Sequence, residues 1–158
     1  MFERTDKAVS EYKKELAKMQ AELREKFIED LKLDAAELKA AFPNLDKIFI
    51  IGSTPEWNDG EECVHESEVL IENRNGDGWY DMRTYVDRMY WDAEVVPDEF
   101  LHINMNLSPE DLSKIRLILL NAGLEDDLEA VFETNYHIII DMTGEDVEVI
   151  VEDYDRGY

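Results

Sequence analysis

The residues best suited to chemistry lie in one short segment, STPEWNDGEECVHESEV, at positions 53–69. It holds the only cysteine, Cys63, and one of the three histidines, His65, with Asp59 close by. A thiol, an imidazole and a carboxylate are the side chains of a metal site, or of a cysteine nucleophile and its base. One hypothesis for the function is therefore a small hydrolase or a metal-dependent enzyme that uses residues 54–65.

The spacing of these residues argues against a metal. Zinc sites need three or four ligands at recognisable spacing, and the other two histidines have no partners at such spacing. The alternation over 62–72 predicts a strand that places Cys63 and His65 on the same face as Val69 and Ile71. We therefore predict a buried thiol and a core histidine, with no metal, no cofactor and no catalytic residue.

The same segment also has the residues of a tight connection between two strands. Pro55 restricts the backbone, and Asn58-Asp59-Gly60 is typical of a turn in which glycine takes a positive φ. Trp57 can fold back over the sheet. We interpret the segment as a structural loop formed by seven residues: Thr54, Pro55, Trp57, Asn58, Asp59, Gly60 and Cys63.

The first half of the chain has apolar spacing typical of helices followed by strands. Residues 3–31 predict a long helix, and a shorter helix is predicted from Asp34 to residue 41, ahead of Phe42-Pro43. The apolar run 48–51 predicts a strand that is covered on both faces. Residues 62–72 predict its antiparallel partner.

The second half predicts helices and then a hairpin. A helix is predicted over 80–91, and another begins at the N-cap Ser108 and ends at Gly123. A short helix over 124–132 precedes a hairpin over 136–151. The chain is therefore predicted to be a single α+β domain, 1–158, with an antiparallel four-stranded sheet, helices on one face and a long N-terminal helix.

The N-terminal helix, predicted within residues 1–33, has a narrow apolar seam. Its members are spaced alternately three and four residues apart, as in a coiled coil. The helix either packs on its own domain or protrudes and pairs with another chain to form a homo-oligomer. The residues of this seam are Val9, Tyr12, Leu16, Met19 and Leu23.

The net charge of −23 is concentrated after residue 50. Residues 1–50 hold 11 acids and 10 bases, whereas residues 51–158 hold 28 acids and 6 bases. Such a surface repels nucleic acid and anionic membranes and attracts basic proteins. Solubility alone is the plainest interpretation. We expect a protein partner with a basic surface, no direct nucleic-acid binding and no membrane association.

A narrower hypothesis is that the acids imitate a nucleic-acid backbone. At about one charge per 1.7 Å of duplex axis, the excess after residue 50 matches roughly one turn of DNA. The candidate contacts lie in stretches without lysine or arginine: Glu94, Asp98, Glu99, Glu110, Asp111, Glu125, Asp126, Asp127, Glu129, Glu145, Asp146, Glu148, Glu152, Asp153 and Asp155.

Two segments resemble an uncharacterised family of bacteriophage and bacterial proteins. They are TPEWNDGEEC at 54–63 and the acidic, valine-rich DVEVIVEDYD at 146–155. The family tends to have two aromatic residues where this chain has Trp57 alone, and 73–107 has no counterpart that we can align. The resemblance implies a phage-type accessory protein, and it implies no activity and no catalytic residue.

The leading hypothesis is therefore a non-enzymatic acidic accessory protein that binds another protein. In a narrower form of this hypothesis, the protein is a nucleic-acid mimic or an inhibitor of a host factor. A structural or assembly protein that oligomerises through the N-terminal helix is a further alternative. The first residues have no apolar core or cleavage site typical of a secretory signal. With one cysteine, we expect the cytoplasm, that of the host if the protein is phage-encoded.

Overall fold

The computed structural model describes residues 2–54, 59–71, 103–133 and 135–153. Within them the chain forms three helices and four strands, in agreement with the predicted α+β fold. In chain order the elements are α1 (Glu3–Ala41), β1 (Lys47–Ser53), β2 (Glu66–Leu70), α2 (Pro109–Asn121), α3 (Leu124–Phe132), β3 (Tyr136–Asp141) and β4 (Glu148–Asp153). The helix predicted over 80–91 lies outside the described residues.

The N-terminal helix is continuous from Glu3 to Ala41, and its 39 residues give it a length of about 58 Å. The predicted interruption before Asp34 is therefore wrong. Asp34 is exposed on the helix, while Leu31 and Ala35 on either side of it are buried against the domain. Tertiary packing thus holds the helix through a residue that, by itself, favours a helix start. The predicted end ahead of Phe42-Pro43 is confirmed.

The four strands form one antiparallel sheet in the order β2-β1-β3-β4. Ile50 of β1 lies opposite Val69 of β2 on one side and Ile138 of β3 on the other. Ile138 in turn lies opposite Val151 of β4. The two hairpin-like pairs predicted from the sequence are therefore joined through β1 and β3, which become the two central strands.

The second strand is shorter than predicted. It begins at Glu66, so residues 62–65 precede it and do not alternate as a strand. Cys63 is consequently a partly exposed thiol rather than a buried one, and His65 is only partly buried. The prediction of a shared buried face is correct only for its other end, where Ile71 is buried.

The core lies between the sheet and the three helices. Ile48 and Ile50 of β1 and Ile138 and Ile140 of β3 form its floor, and residues of all three helices pack over them. Phe49 and Ile51 point to the opposite face of the sheet and are equally buried, at 1% exposure each. The prediction that β1 is covered on both faces is therefore confirmed.

Local capping explains where the shorter helices begin and end. The Asp111 N–H donates to the Ser108 hydroxyl at 3.1 Å, as predicted for an N-cap serine followed by proline. The chain leaves α2 through Gly123 with φ 64°, the left-handed conformation expected of a glycine after a helix. Both boundaries predicted from these residues are confirmed.

One buried asparagine ties three distant segments together. Asn104 is 5% exposed, has φ 52°, and its side-chain oxygen accepts from the N–H groups of Asp46 and Lys47 at 2.7 and 2.9 Å. Its amide nitrogen donates to the carbonyls of Lys47 at 2.6 Å and Ile71 at 2.7 Å. A single side chain thus satisfies backbone groups at the start of β1 and just after β2.

Candidate functional site

The segment from Thr54 to His65 connects β1 to β2. Of its predicted structural residues, the structure describes Thr54, Asp59, Gly60 and Cys63, while Pro55, Trp57 and Asn58 lie outside the described residues. Asp59 and Gly60 both have positive φ, 43° and 89°. The predicted turn with glycine in the left-handed region is therefore present at these two positions.

A chain of polar side chains crosses the sheet end next to this turn. The Thr54 hydroxyl lies 2.9 Å from Nδ1 of His65, and Nε2 of His65 lies 3.1 Å from the Tyr136 hydroxyl. The Thr54 N–H donates to Oδ1 of Asn135 at 3.3 Å. The imidazole therefore has a hydrogen-bonding partner on each nitrogen, which fixes its orientation between two hydroxyl groups.

Gly52 makes this arrangement sterically accessible. It lies opposite Tyr136 in the β1–β3 register, and the tyrosine ring lies directly over it. A Cβ atom at Gly52 would be 2.1 Å from Cζ of Tyr136, far inside any real contact. The glycine that follows the apolar run of β1 is the one local sign in the sequence of this close approach.

Burial of Tyr136 raises the pKa of its hydroxyl to about 12. The Ser67 hydroxyl opposes this shift, and the carboxylates of Glu129 and Glu125 add to it. The phenol therefore stays protonated at neutral pH and serves as a neutral hydrogen-bonding group for His65. Such a chain can hold an imidazole as a base beside the Thr54 hydroxyl, but it can equally be a structural connection between β1, β2 and β3.

Within the four described ranges, no group of three or more histidine, cysteine or acidic side chains is placed to hold a metal ion. The Cys63 thiol is not among the hydrogen-bonded groups of the Thr54–His65–Tyr136 chain, so the structure does not pair it with His65 as nucleophile and base. No helix in the part of the chain that the structure describes is long and apolar enough to cross a membrane.

The N-terminal seam lies on the surface. We call residues 3–19 the arm, because every residue in this part of α1 is exposed. The five seam residues, of which Leu23 lies just beyond the arm, are between 46% and 65% exposed. Packing on the domain begins with Gln20, whose side-chain amide donates to the Val131 carbonyl at 2.8 Å. The alternative in which the seam packs on its own domain is therefore not what the structure contains.

The described acids divide between the two sides of the sheet. Glu125, Asp126, Asp127 and Glu129 are exposed on α3, on the helix-covered side. Glu148 and Glu152 of β4 alternate with Val149 and Val151, which pack against the core, and so face the opposite side.

The other candidate acids lie in a turn, at the end of an element, or outside the described residues. Glu145 and Asp146 are exposed in the hairpin turn, and Glu110 and Asp111 lie in the first turn of α2. Asp153 ends β4. The acids outside the described residues are Glu94, Asp98, Glu99 and Asp155.

Several of these acids have a local structural role. Glu125, Asp126 and Asp127 lie in the first turn of α3, whose N-cap is Gly123 and has no side chain to satisfy the free N–H groups. Carboxylates there are favoured by the helix dipole. Glu110, in the first turn of α2, accepts a hydrogen bond at 2.7 Å from Lys114, which lowers the pKa of that carboxyl. Helix formation therefore explains the presence of some of these acids, and that part of the negative charge does not require a binding partner.

A buried histidine faces away from the helices. His137 is 2% exposed, its Nδ1 lies 3.1 Å from a carboxylate oxygen of Glu152, and its ring contacts Phe49 edge-on at 4.3 Å. Burial lowers the pKa of His137, although the charge of Glu152 and its hydrogen bond act in the opposite direction. Nothing in the sequence marks His137, because its partner Glu152 is fifteen positions away.

Compared with known protein families, with curated proteins and with solved structures, the chain has no significant match. The site residues are therefore interpreted from their own geometry.

Proposed function

We propose that this protein acts by binding other polypeptides rather than by catalysis, and that the α1 seam joins two copies of the chain. The observation that carries the proposal is the exposure of Val9, Tyr12, Leu16, Met19 and Leu23 along one side of a continuous helix. Large apolar side chains aligned on a surface are typical of an interaction site.

The spacing of the seam favours a second helix as its partner. The residues alternate three and four apart, so they follow the heptad repeat that two identical helices can share. From Val9 to Leu23 the seam is about 21 Å long. That is only two heptads, so we expect a dimer that forms at micromolar concentrations and dissociates on dilution.

The charge distribution is compatible with pairing through α1. Residues 3–26 carry 6 acids and 7 bases, so this part of the helix is nearly neutral. Two such helices meet without the repulsion that opposes contact between the acidic regions after residue 50. The N-terminal helix is thus the part of the chain best suited to touch its own copy.

Sedimentation of point variants tests this proposal without removing the packed part of α1. The double variant Leu16→Gln, Met19→Gln should be monomeric at concentrations at which the wild-type chain is a dimer. Leu33→Gln is a control for a polar substitution elsewhere on the helix, because Leu33 is 65% exposed but lies ten residues beyond Leu23, the last residue of the seam. A monomeric wild-type chain at high micromolar concentration would contradict the proposal.

The second part of the proposal is a basic protein as the partner of the acidic surface, in keeping with a phage-type accessory role. The exposed acids of α3 support it, because four carboxylates lie within one short helix that has no lysine or arginine. Nucleic-acid mimicry is the narrower form of this idea.

Titration with a polylysine peptide tests the acidic surface. We expect tight binding at low salt that weakens steeply as salt rises, since released counterions drive such contacts. Glu129→Gln on α3 should weaken it more than Glu145→Gln in the hairpin turn, which changes the net charge equally. Equal effects of the two variants would mean that only net charge matters. Displacement of duplex DNA from a DNA-binding enzyme would favour mimicry.

The contact between Thr54 and His65 favours a second candidate, a small hydrolase that uses Thr54 as nucleophile and His65 as base. Turnover of an activated ester should then disappear in Thr54→Val, which removes the hydroxyl but keeps the shape. Thr143→Val, in the exposed hairpin turn, is the control. If the polar chain is structural, Thr54→Val lowers stability and neither variant changes a background rate.

A further inference from the structure

An apolar cavity of about 380 Å³, open to solvent on one side, lies between α1 and the helices α2 and α3. Leu31, Ala35 and Leu38 of α1 form one wall, and Ile118 and Leu119 of α2 form the other. Its floor is provided by β1 and β3, through Ile48 and Ile140. The volume falls within the range of small-molecule sites, roughly 300–1,000 Å³.

The cavity exists because small side chains occupy positions where larger ones would fill it. Ala35, Ala41 and Ala122 all line it, the first in the middle of the α1 wall and the others at the ends of α1 and α2. Interiors are normally packed without voids larger than a water molecule. This space, by contrast, opens to solvent at its rim, where Ala41, Ile118 and Ala122 are exposed.

Water is a poor occupant of this space. Because the cavity opens to solvent, water enters it, but the apolar walls offer that water few hydrogen-bonding partners. The described lining residues have aliphatic side chains, apart from two carboxylates at the rim. An apolar ligand would therefore gain free energy by replacing weakly held water.

The charged residues of the lining indicate which head group a ligand of this cavity would carry. They are Asp34 and Glu37, both exposed and three positions apart on α1, which places them on one side of the helix. Among the lining residues that the structure describes, none is a lysine, arginine or histidine. With a net charge of −23 on the chain, this rim attracts a cationic group and repels an anionic one.

We propose that this cavity is a binding site for a single-chain amphiphile with a cationic head group, such as an alkylammonium. The alkyl chain lies in the cavity against Ile48 and Ile140, and the ammonium lies at the rim beside Asp34 and Glu37. The site is separate from the α1 seam and from the Thr54–His65–Tyr136 chain, and it does not depend on the function proposed above.

Calorimetric titration of the full chain with octylammonium, octanol and octanoate, each below its micellar concentration, tests the ligand class. Octylammonium should bind saturably and most tightly, octanol more weakly, and octanoate most weakly. Apolar burial should also give a negative heat-capacity change. No saturable binding of octylammonium would overturn the proposal, and so would octanoate binding as tightly as octylammonium.

Two pairs of variants test the location. Ala41→Phe should weaken octylammonium binding at least tenfold by filling the cavity from the exposed last turn of α1. Ala36→Phe is its control, because Ala36 is exposed on the same helix but does not line the cavity. If both variants lost octylammonium binding equally while their thermal unfolding stayed unchanged, the ligand would bind elsewhere on the protein.

The second pair consists of two double variants and tests the contact of the ammonium head group. Both double variants change the net charge by the same amount. Asp34→Asn with Glu37→Gln should weaken octylammonium binding about threefold and leave octanol binding unchanged, as expected for exposed charge pairs. Glu15→Gln with Glu25→Gln removes the same two charges from α1 away from the cavity. Equal effects of the two double variants on octylammonium would overturn the assignment of Asp34 and Glu37.

Discussion

The two halves of α1 share one helical conformation but differ in what covers them. Beyond Gln20, the ring of Phe27 packs edge-on against Phe132 at 5.7 Å, and Arg24 lies over the same ring at 5.0 Å. The arm, by contrast, exposes every side chain. Apolar spacing predicted an apolar stripe along the helix, but it did not predict whether the protein itself covers that stripe.

The packed half of α1 contributes to the stability of the monomer, whereas the side chains of the arm are available to a partner. Side chains in the packed half, the sheet and the Asn104 connection contribute to the free energy of unfolding. Arm side chains change little in surface exposure when an isolated monomer unfolds. Mutations in the two regions should consequently act on different measurements, and the following predictions are ordered by the size of the expected effect.

The largest effect is expected at Asn104, in the packed body. Asn104→Ala should lower the free energy of unfolding by at least about 3 kcal/mol, since four backbone groups lose their partners and alanine disfavours φ 52°. Asn106→Ala, at an exposed neighbouring position, should have little effect. Urea unfolding measures both. Asn104→Gly tolerates the φ angle but lacks the side-chain amide. If this variant were as stable as wild type, the hydrogen bonds of Asn104 would contribute nothing to the free energy of unfolding.

Next in size is the direct comparison of the two halves of α1. Leu31→Ala, at a position 7% exposed, should cost about 2–4 kcal/mol through lost burial and a cavity. Leu16→Ala, at 46% exposure, should change stability by less than about 0.5 kcal/mol at dilutions where the chain is monomeric. Similar losses in both variants would mean that the arm packs on its own domain in solution.

A smaller effect is expected from pH, through His137. Its pKa is lowered in the folded state, so the unfolded chain binds the proton more readily. The free energy of unfolding should therefore fall as the pH drops below the ordinary histidine value of 6.5 towards the lowered folded-state pKa. Urea midpoints between about pH 5 and pH 8 measure this dependence.

Two variants sharpen the pH measurement. His137→Asn should flatten the dependence in this range. Glu152→Gln should extend the loss to more acidic pH, because the carboxylate that favours the charged imidazole is gone. An unchanged pH dependence in His137→Asn would assign it to another group.

The smallest effect is expected from the ion pairs of the arm. Lys7 lies 3.9 Å from Glu11, and both side chains are largely exposed, at 77% and 67%. Exposed pairs of this kind contribute little in water. Lys7→Ala should leave the urea midpoint of the monomer unchanged within error, and a clear loss of stability would show that the arm has a partner within the chain.

Much of the fold could be predicted from the sequence, because its signals are local. Ser108-Pro109 and Gly123 marked the ends of α2, and alternation marked the hairpin of β3 and β4. The seam from Val9 to Leu23 was likewise visible as spacing. These features depend on hydrogen bonds and side-chain directions within a few residues, which the sequence specifies directly.

The polar sites could not be predicted in the same way. The Thr54 contact with His65 spans eleven residues, but the His65 contact with Tyr136 spans seventy-one and the Asn104 contact with Lys47 fifty-seven. Neither tyrosine nor asparagine has a spacing signal for such partners. The glycine at position 52 was the one local sign that a ring crosses the strand.

The sequence by itself determined α2, α3, β1 and the β3–β4 hairpin, the helical character of the N-terminal region, and the concentration of acids after residue 50. The tertiary structure decided that α1 continues through Asp34, that Cys63 lies outside the strand, and that the N-terminal seam remains exposed. The physical reason is that short-range hydrogen bonds and periodicity act within each element, whereas burial depends on which surfaces meet. That second choice is made between residues far apart in the chain.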